Sequence, residues 1–260
     1  MNNFKIMMIG DVIGRTGRKT VNRELLGLRA KYNIDIIIAN GENSAGGLGI
    51  NQKTYSELLN SGVDIVTLGN HLWDKKEIFE IIEEKKLVRP LNYTCEKIEG
   101  RGVGIFEENG VKFAVISLLG RVFMPRVACP FRVIEEEIKK LEQAGIKIII
   151  IDFHAEATSE KQAMGFFVDG KVSVIAGTHT HVQTNDERIL QGGTGYITDL
   201  GMTGDKDSVI GVDKNIIISR FLDQMPKRFE VSSNTPMING IVAEIDIETG
   251  KCKSIIKINY

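Results

Sequence analysis

The sequence predicts an α/β protein with either one mixed sheet, or two sheets packed face to face with helices outside. Two observations carry this prediction. Up to residue 86, short apolar runs alternate with segments of helical period, the pattern of parallel strands joined by crossovers. From residue 103 onward, turn signals join neighbouring apolar runs into hairpins, which demand antiparallel pairing and so a mixed sheet.

Taken in order, Ile6 to Ile9 is a short buried strand ended by Gly10. Gly14 and Gly17 open a turn, and Lys19 to Tyr32 carries Val21, Leu25, Leu26 and Leu28 at helical spacing. Ile34 to Ala39 is the second strand, followed by the glycine-rich loop Ser44-Ala45-Gly46-Gly47-Leu48-Gly49. Asn51 is placed to cap a helix that ends near Gly62. Ile65 to Leu68 is the third strand, and Lys75 to Lys86 reads as an amphipathic helix with Ile78, Phe79, Ile81 and Ile82 inward.

Val103 to Phe106 and Lys112 to Leu118 flank Asn109-Gly110, which suits a type I′ hairpin turn. Arg121 to Arg132 reads as irregular, Val133 to Ala144 as a helix stopped by Gly145, and Ile146 to Ile151 as a fully buried strand. Thr158 to Phe167 is helical, and Val172 to Ala176 is a β-branched strand that stops at Gly177. Arg188 to Leu190 and Gly195 to Thr198 are short strands, while Ile216 to Leu222 fits helix or strand. Gly240 to Ile247 and Lys253 to Ile258 pair around Glu248-Thr249-Gly250.

At 260 residues the chain can bury a substantial core, and one domain over 1–260 is the simplest division. A formal net charge of -1 provides no overall basic field for wrapping long nucleic acid, although local patches remain open. Cys95, Cys129 and Cys252 are odd in number and far apart, which suggests neither a disulfide framework nor a cysteine zinc site. No long apolar run and no N-terminal signal pattern is present, so a cytoplasmic protein with no membrane partner is expected.

The polar residues fall where strands end, and in open α/β sheets ligands gather beyond the carboxyl ends of strands. Those ends carry Gly10-Asp11, Gly41-Glu42-Asn43, Gly69-Asn70-His71, Asp152-Phe153-His154 and Gly177-Thr178-His179-Thr180-His181. All four histidines of the chain are among them. Carboxylate, carboxamide and imidazole together suit manganese, iron or zinc. Each residue alone has a plainer role: Asp11 as a helix cap, Asn43 or Asn70 as turn residues, His154 as a core histidine. Five strand ends converging on the same ligand chemistry favour a metal site.

These motifs resemble the successive motifs of calcineurin-like metallophosphoesterases, from Asp11 to His181. The resemblance implies a four-layer α-β-β-α sandwich with mixed sheets. Two departures stand out: Ile13 replaces a histidine common in the first motif, and Glu42 followed by Asn43 replaces an aspartate in the second. Those departures, with Ser44-Ala45-Gly46-Gly47 and the run from Asp152 to Thr158, resemble the YmdB-type branch. That branch is associated with cyclic-nucleotide phosphodiesterase activity, including on 2′,3′-cyclic nucleotides.

The resemblance implies two divalent or mixed-valence metal ions, iron or manganese with zinc also accommodated, about 3.5–4 Å apart and bridged by Glu42. Asp11, Asn43 and His181 would complete one ion, with Asn43 in place of the missing histidine; Asn70, His154 and His179 would complete the other. A metal-bridging hydroxide would attack phosphorus in line, and His71 would protonate the departing alkoxide as general acid. The competing role for His71 is to orient Asn70 or another ligand. Two divalent ions, two carboxylates and a hydroxide leave a single positive charge, which suits a diester monoanion, although a monoester dianion is attracted too. The implied substrate is a cyclic nucleotide, 2′,3′ or 3′,5′, or a phosphodiester at an RNA end; a homo-oligomer is left open. Two rivals stand beside this: a broad phosphomonoesterase using the same site, and a non-enzymatic, metal-dependent RNA-binding or regulatory protein.

Overall fold

Phe4, Ile6 and Met8 alternate with Met7 and Ile9 along the first strand, and all five are buried. A strand buried on both faces must lie between two layers, because its side chains point alternately to either side. The computed structural model, which describes residues 3–94 and 97–260, has that arrangement. Cys95 lies outside the described residues, and Cys129 and Cys252 are free thiols.

The chain begins with β1 (Asn3–Ile9), β2 (Asp11–Val12), α1 (Gly14–Tyr32), β3 (Ile36–Asn40), α2 (Gln52–Asn60), β4 (Ile65–Thr67) and β5 (Leu87–Val88). It continues with β6 (Val103–Glu108), β7 (Val111–Leu119), α3 (Pro130–Gln143), β8 (Ile148–His154), α4 (Thr158–Phe167) and β9 (Val174–Thr178). The remainder is β10 (Arg188–Ile189), β11 (Gly195–Ile197), β12 (Met202–Asp205), α5 (Lys214–Asp223), β13 (Pro236–Met237), β14 (Asn239–Asp246) and β15 (Cys252–Asn259).

One six-stranded mixed sheet runs β15-β14-β1-β3-β4-β5 and a second runs β10-β11-β9-β8-β7-β6. Phe4, Ile6, Met8, Ile36 and Ile38 of the first pack against Phe113, Val115, Ile148, Ile150 and Val174 of the second. The outer face of the first sheet is covered by Val21, Leu25 and Leu28 of α1 and by Tyr55 and Leu58 of α2. Ile134, Ile138 and Leu141 of α3 and Met164 of α4 cover the second. The expected four layers, α-β-β-α, are therefore present. A small third sheet, β13-β12-β2, sits at the end where β1 stops.

Several boundaries differ from expectation, each for a local reason. α1 starts at Gly14, because the Asn43 carbonyl takes the Gly14 N–H and draws the turn into the helix. β3 starts two residues late, since the Asp35 carboxylate accepts the Lys5 N–H at 2.8 Å and pins the turn before it. α3 starts at Pro130, a residue suited to the first helical turn, so the irregular stretch is shorter than expected. β8 begins at Ile148 but runs on to His154, and β9 passes through Gly177 to Thr178. α5 is a helix, capped by the Asp213 carboxylate.

The helix expected over Lys75 to Lys86 is instead a 3-10 turn over Lys76–Glu80, followed by turns. Ile78, Ile81 and Leu87 each donate N–H to the carbonyl three residues earlier, so the three-residue spacing of Ile78 and Ile81 is met by successive turns. Ile78, Ile81 and Ile82 are buried as expected, but Phe79 faces out, 60% exposed. The chain needs this short route because β5 must return beside β4, with Val66 opposite Leu87. The two-residue strands β2, β5 and β13, and four-residue β12, are too short to show a period in the sequence. No helix among the described residues is long and apolar enough to cross a membrane.

Candidate metal centre

The inward columns of both sheets change from apolar to polar as they reach one end. In β8 the column reads Ile148, Ile150, Asp152, His154; in β3 it reads Ile36, Ile38, Asn40, with Glu42 just beyond. Thr67 ends β4, and Thr178 ends β9. All these residues are buried, so their polar atoms must find partners within the protein. Asp152 collects three of them: Thr178 Oγ1 donates to it at 2.6 Å, Thr67 Oγ1 at 2.5 Å and Asn40 Nδ2 at 3.0 Å. Burial pushes its carboxyl up to about 6, against the pull of His154 and the hydroxyl donors.

On this polar layer the expected ligands come together. His154 Nε2 lies 2.8 Å from Asn70 Oδ1, 3.1 Å from Glu42 Oε1 and 3.0 Å from His179 Nδ1. Asn43 Nδ2 lies 3.2 Å from Asp11 Oδ1, 3.2 Å from Glu42 Oε1 and 3.3 Å from His181 Nε2. Glu42 Oε1 thus belongs to both groups, while its Oε2 accepts the His71 N–H at 2.9 Å. Asp11 Oδ2 accepts the His179 N–H at 3.1 Å. Glycine is required beneath the cluster: a Cβ on Gly69 would meet Glu42 Oε2 at 2.4 Å and His154 Nε2 at 2.5 Å.

Each of the three clustered histidines has its outer nitrogen engaged by an acceptor. His154 Nδ1 meets Thr178 Oγ1 at 2.9 Å; since that hydroxyl gives its proton to Asp152, it accepts from the ring. His181 Nδ1 donates to the Ile210 carbonyl at 3.0 Å, and His179 Nε2 faces the Glu156 carboxylate at 3.2 Å. In the neutral rings, the nitrogens facing the cluster are therefore the unprotonated ones. Turning the Asn43 amide over brings its oxygen among Asp11, Glu42 and His181, so both groups become sets of acceptors alone. Buried acceptors facing one another are satisfied by protons or by cations. The donor set of carboxylate, carboxamide and imidazole fits divalent metal ions, and Glu42, His154 and His179 alone offer ligand atoms all within 4.8 Å of one another.

The electrostatics follow from this crowding. Burial works to raise Asp11 and Glu42, but His181 beside Asp11 and His154 beside Glu42 outweigh it and hold both below the usual carboxylate range. His154 resists burial through Glu42, Asp11 and Asp152 and is raised to about 9; His181 is raised in the same way by Asp11. His179, driven down by burial and by His154, falls to about 4.

His71 stands apart from the acceptor groups. Its Nδ1 lies 2.7 Å from Asp74 Oδ2, and its side chain is 29% exposed. Asp152 and Glu156 both support the cluster: Asp152 is buried beneath His154, and Glu156 holds His179.

Sequence reasoning missed the support of the last motif. His179 and His181 adopt φ of 100° and 65°, conformations that side chains larger than glycine rarely hold. Thr180 between them donates both N–H (3.2 Å) and Oγ1–H (2.7 Å) to Asp199 Oδ2, which is paired with Lys161 Nζ at 2.6 Å. Lys161 and Asp199 are both buried. The sequence signal was a lysine inside the helical stretch Thr158 to Phe167, on the face that carries Met164 and Gly165 into the core.

Comparison with known proteins identifies relatives of the whole chain. The model of the family described as YmdB-like protein matches residues 7–258. A 2′,3′-cyclic-nucleotide 2′-phosphodiesterase of Bacillus subtilis (strain 168) is 46% identical over 256 residues, 98% of this chain and 96% of that protein. The crystal structure of a novel phosphatase from Mycoplasma pneumoniae superposes with a TM-score of 0.94 at 39% identity, covering 100% of this chain and 94% of that one. A Haemophilus influenzae NAD nucleotidase shares the fold, with a TM-score of 0.64 at 15% identity over 99% of this chain and 56% of its own.

Proposed function

From the chain's membership of the YmdB-like protein family, and from the centre just described, we propose a metal-dependent phosphodiesterase that opens 2′,3′-cyclic phosphates of nucleotides, free or at the end of an RNA chain. The observation that carries the proposal is the orientation of His154, His179 and His181: the outer nitrogen of each is engaged elsewhere, and His154 Nε2, His179 Nδ1 and His181 Nε2 turn toward the cluster of Asp11, Glu42, Asn43 and Asn70. Asp11, Asn43 and His181 would hold one ion and Asn70, His154 and His179 the other, with Glu42 shared. Iron or manganese suits these ligands, and zinc is compatible. Bound there, the ions supply Lewis acidity and lower the pKa of water enough to make a nucleophile near neutral pH.

The chain's own residues do the rest. Asp152, through Thr178, and Glu156 keep the ligand imidazoles in the required tautomers. The buried sheet ends exclude bulk water and keep the local dielectric low, which strengthens the attraction for a phosphodiester anion. Asp74 orients the His71 ring through Nδ1, leaving Nε2 to deliver a proton to the departing ribose oxygen. The Bacillus relative's name points to the 2′ bond, so the P–O2′ bond breaks and a 3′-phosphate is left. A reducing, cytoplasmic setting is consistent with free Cys129 and Cys252.

The test is hydrolysis of 2′,3′-cyclic AMP, 3′,5′-cyclic AMP, p-nitrophenyl phosphate and its bis-ester after chelation and re-metallation with iron, manganese or zinc. Restored turnover greatest on the 2′,3′-cyclic diester supports the reading. Turnover confined to the monoester would make the protein a phosphomonoesterase, and no metal-dependent hydrolysis at all would remove it from the enzymes.

A further inference from the structure

Two adjoining cavities of about 670 and 480 Å³ share Arg15 and Lys19 of α1. Between them they are lined by Arg15, Arg18, Lys19, Arg23 and Lys53, against one carboxylate, Glu57. In a chain of net charge -1, that is a pronounced local concentration of positive charge. Arg18 is committed to Glu57 and to the Ser44 carbonyl, and Arg23 pairs with Glu24. Arg15, Lys19 and Lys53 are exposed and make no ion pair among the described residues.

The place of this groove matters as much as its charge. α1 and α2 both start from the end of the sheet that carries the metal centre. The Gly14 N–H donates to the Asn43 carbonyl, and the Arg18 guanidinium reaches Ser44, the next residue. The metal-centre residues do not themselves line the groove, but the first turns of α1, which do, are tied directly to Asn43 and Ser44, and the groove follows α1 from there. Arg15, Lys19 and Arg23 recur every four residues on one helix face, about 6 Å apart along the axis. That spacing is of the same order as successive phosphates in an extended nucleic-acid strand. No aromatic side chain lines either cavity, so the groove offers charge without a surface for stacking bases.

We propose that this groove holds the phosphate backbone of a single-stranded RNA whose 2′,3′-cyclic end occupies the metal centre, an inference that rests on the diesterase reading above. Recognition there is electrostatic and indifferent to sequence. The preferred substrate is then an oligonucleotide end rather than a free cyclic mononucleotide.

Two measurements on the metal-loaded protein test it. The first is fluorescence anisotropy of a labelled RNA hexamer ending in a 3′-phosphate, from 50 to 300 mM KCl. Three backbone contacts predict a slope of log affinity on log salt of about -2. The triple variant Arg15→Gln, Lys19→Gln, Lys53→Gln, all surface positions, is expected to bind at least tenfold more weakly with a flatter slope. The second is the ratio of kcat/KM for a hexamer with a 2′,3′-cyclic end to that for 2′,3′-cyclic AMP, expected to fall about tenfold in the variant. Equal binding and an equal ratio in wild type and variant would overturn the groove. So would a salt-dependent dimer that covers Arg15 and Lys53 in sedimentation. If neither substrate is hydrolysed, the diesterase reading fails on its own, while the anisotropy still decides whether the groove holds RNA.

Discussion

Lys161 and Asp199 form an ion pair closed off from solvent, Nζ to Oδ2 2.6 Å, with side chains only 2% and 1% exposed. The same Asp199 oxygen takes both donors of Thr180, the residue between two expected metal ligands. A pair on an α-helix of one layer and a loop beyond the sheet thus fixes the backbone of His179 and His181.

Asp199→Asn is expected to destabilise the protein by about 3–5 kcal/mol, because it strands a buried ammonium without its counter-charge. Denaturant melts measure the stability. Metal content after dialysis is expected to fall with it, and wild-type metal content in a folded Asp199→Asn protein would show that the pair supports only the core.

Thr178→Val removes the acceptor that holds the His154 Nδ1 proton while nearly keeping the volume. Losing such a partner typically costs 10–100-fold in metal affinity. Competition with a chelator measures the change; an unaltered affinity would mean that β8 alone orients the ring.

His71→Ala is expected to retain both metals and lose about 10²–10⁴-fold in kcat on 2′,3′-cyclic AMP. Metal analysis and kinetics on one preparation separate the roles: a loss of metal in step with activity would make His71 a support for Asn70 or Glu42 instead.

Metal uptake is expected to release protons. Despite burial, Glu42 and the other carboxylates around His154 raise it to about 9 in the metal-free protein, so at pH 7 its ring is protonated and must give up that proton to bind. Affinity therefore weakens as pH falls below about 9, approaching tenfold per unit for one coupled proton. Calorimetry in buffers of different ionisation enthalpy counts the protons; none released at pH 7 would contradict the assignment of His154 as a ligand.

Much of this was legible in the chain before any fold was known. Buried strands ended at Gly10, Gly41, Gly69 and Gly177, and the histidines sat at such ends. That was enough to assemble Asp11, Glu42, Asn43, Asn70, His154, His179 and His181 in one place. The supports were not legible, because Asp199 and Ile210 reach the cluster only after β11 and β12 return to it, and no local pattern reports that. The part played by Asp152 was not legible either, since a carboxylate two residues before a histidine fits a solvated loop as well as a buried strand until β8 is known to run through it. Phe79 was misplaced because apolar spacing by three fits a helix and a series of turns equally well.

Asp11, Glu42, Asn43 and Asn70 lie at ends of one sheet or on its small neighbour, whereas His154, His179 and His181 belong to the other sheet. A cation held jointly by both groups is a rivet through the seam between them. Chelation should then lower Tm, and the melting point should climb with the logarithm of free metal concentration.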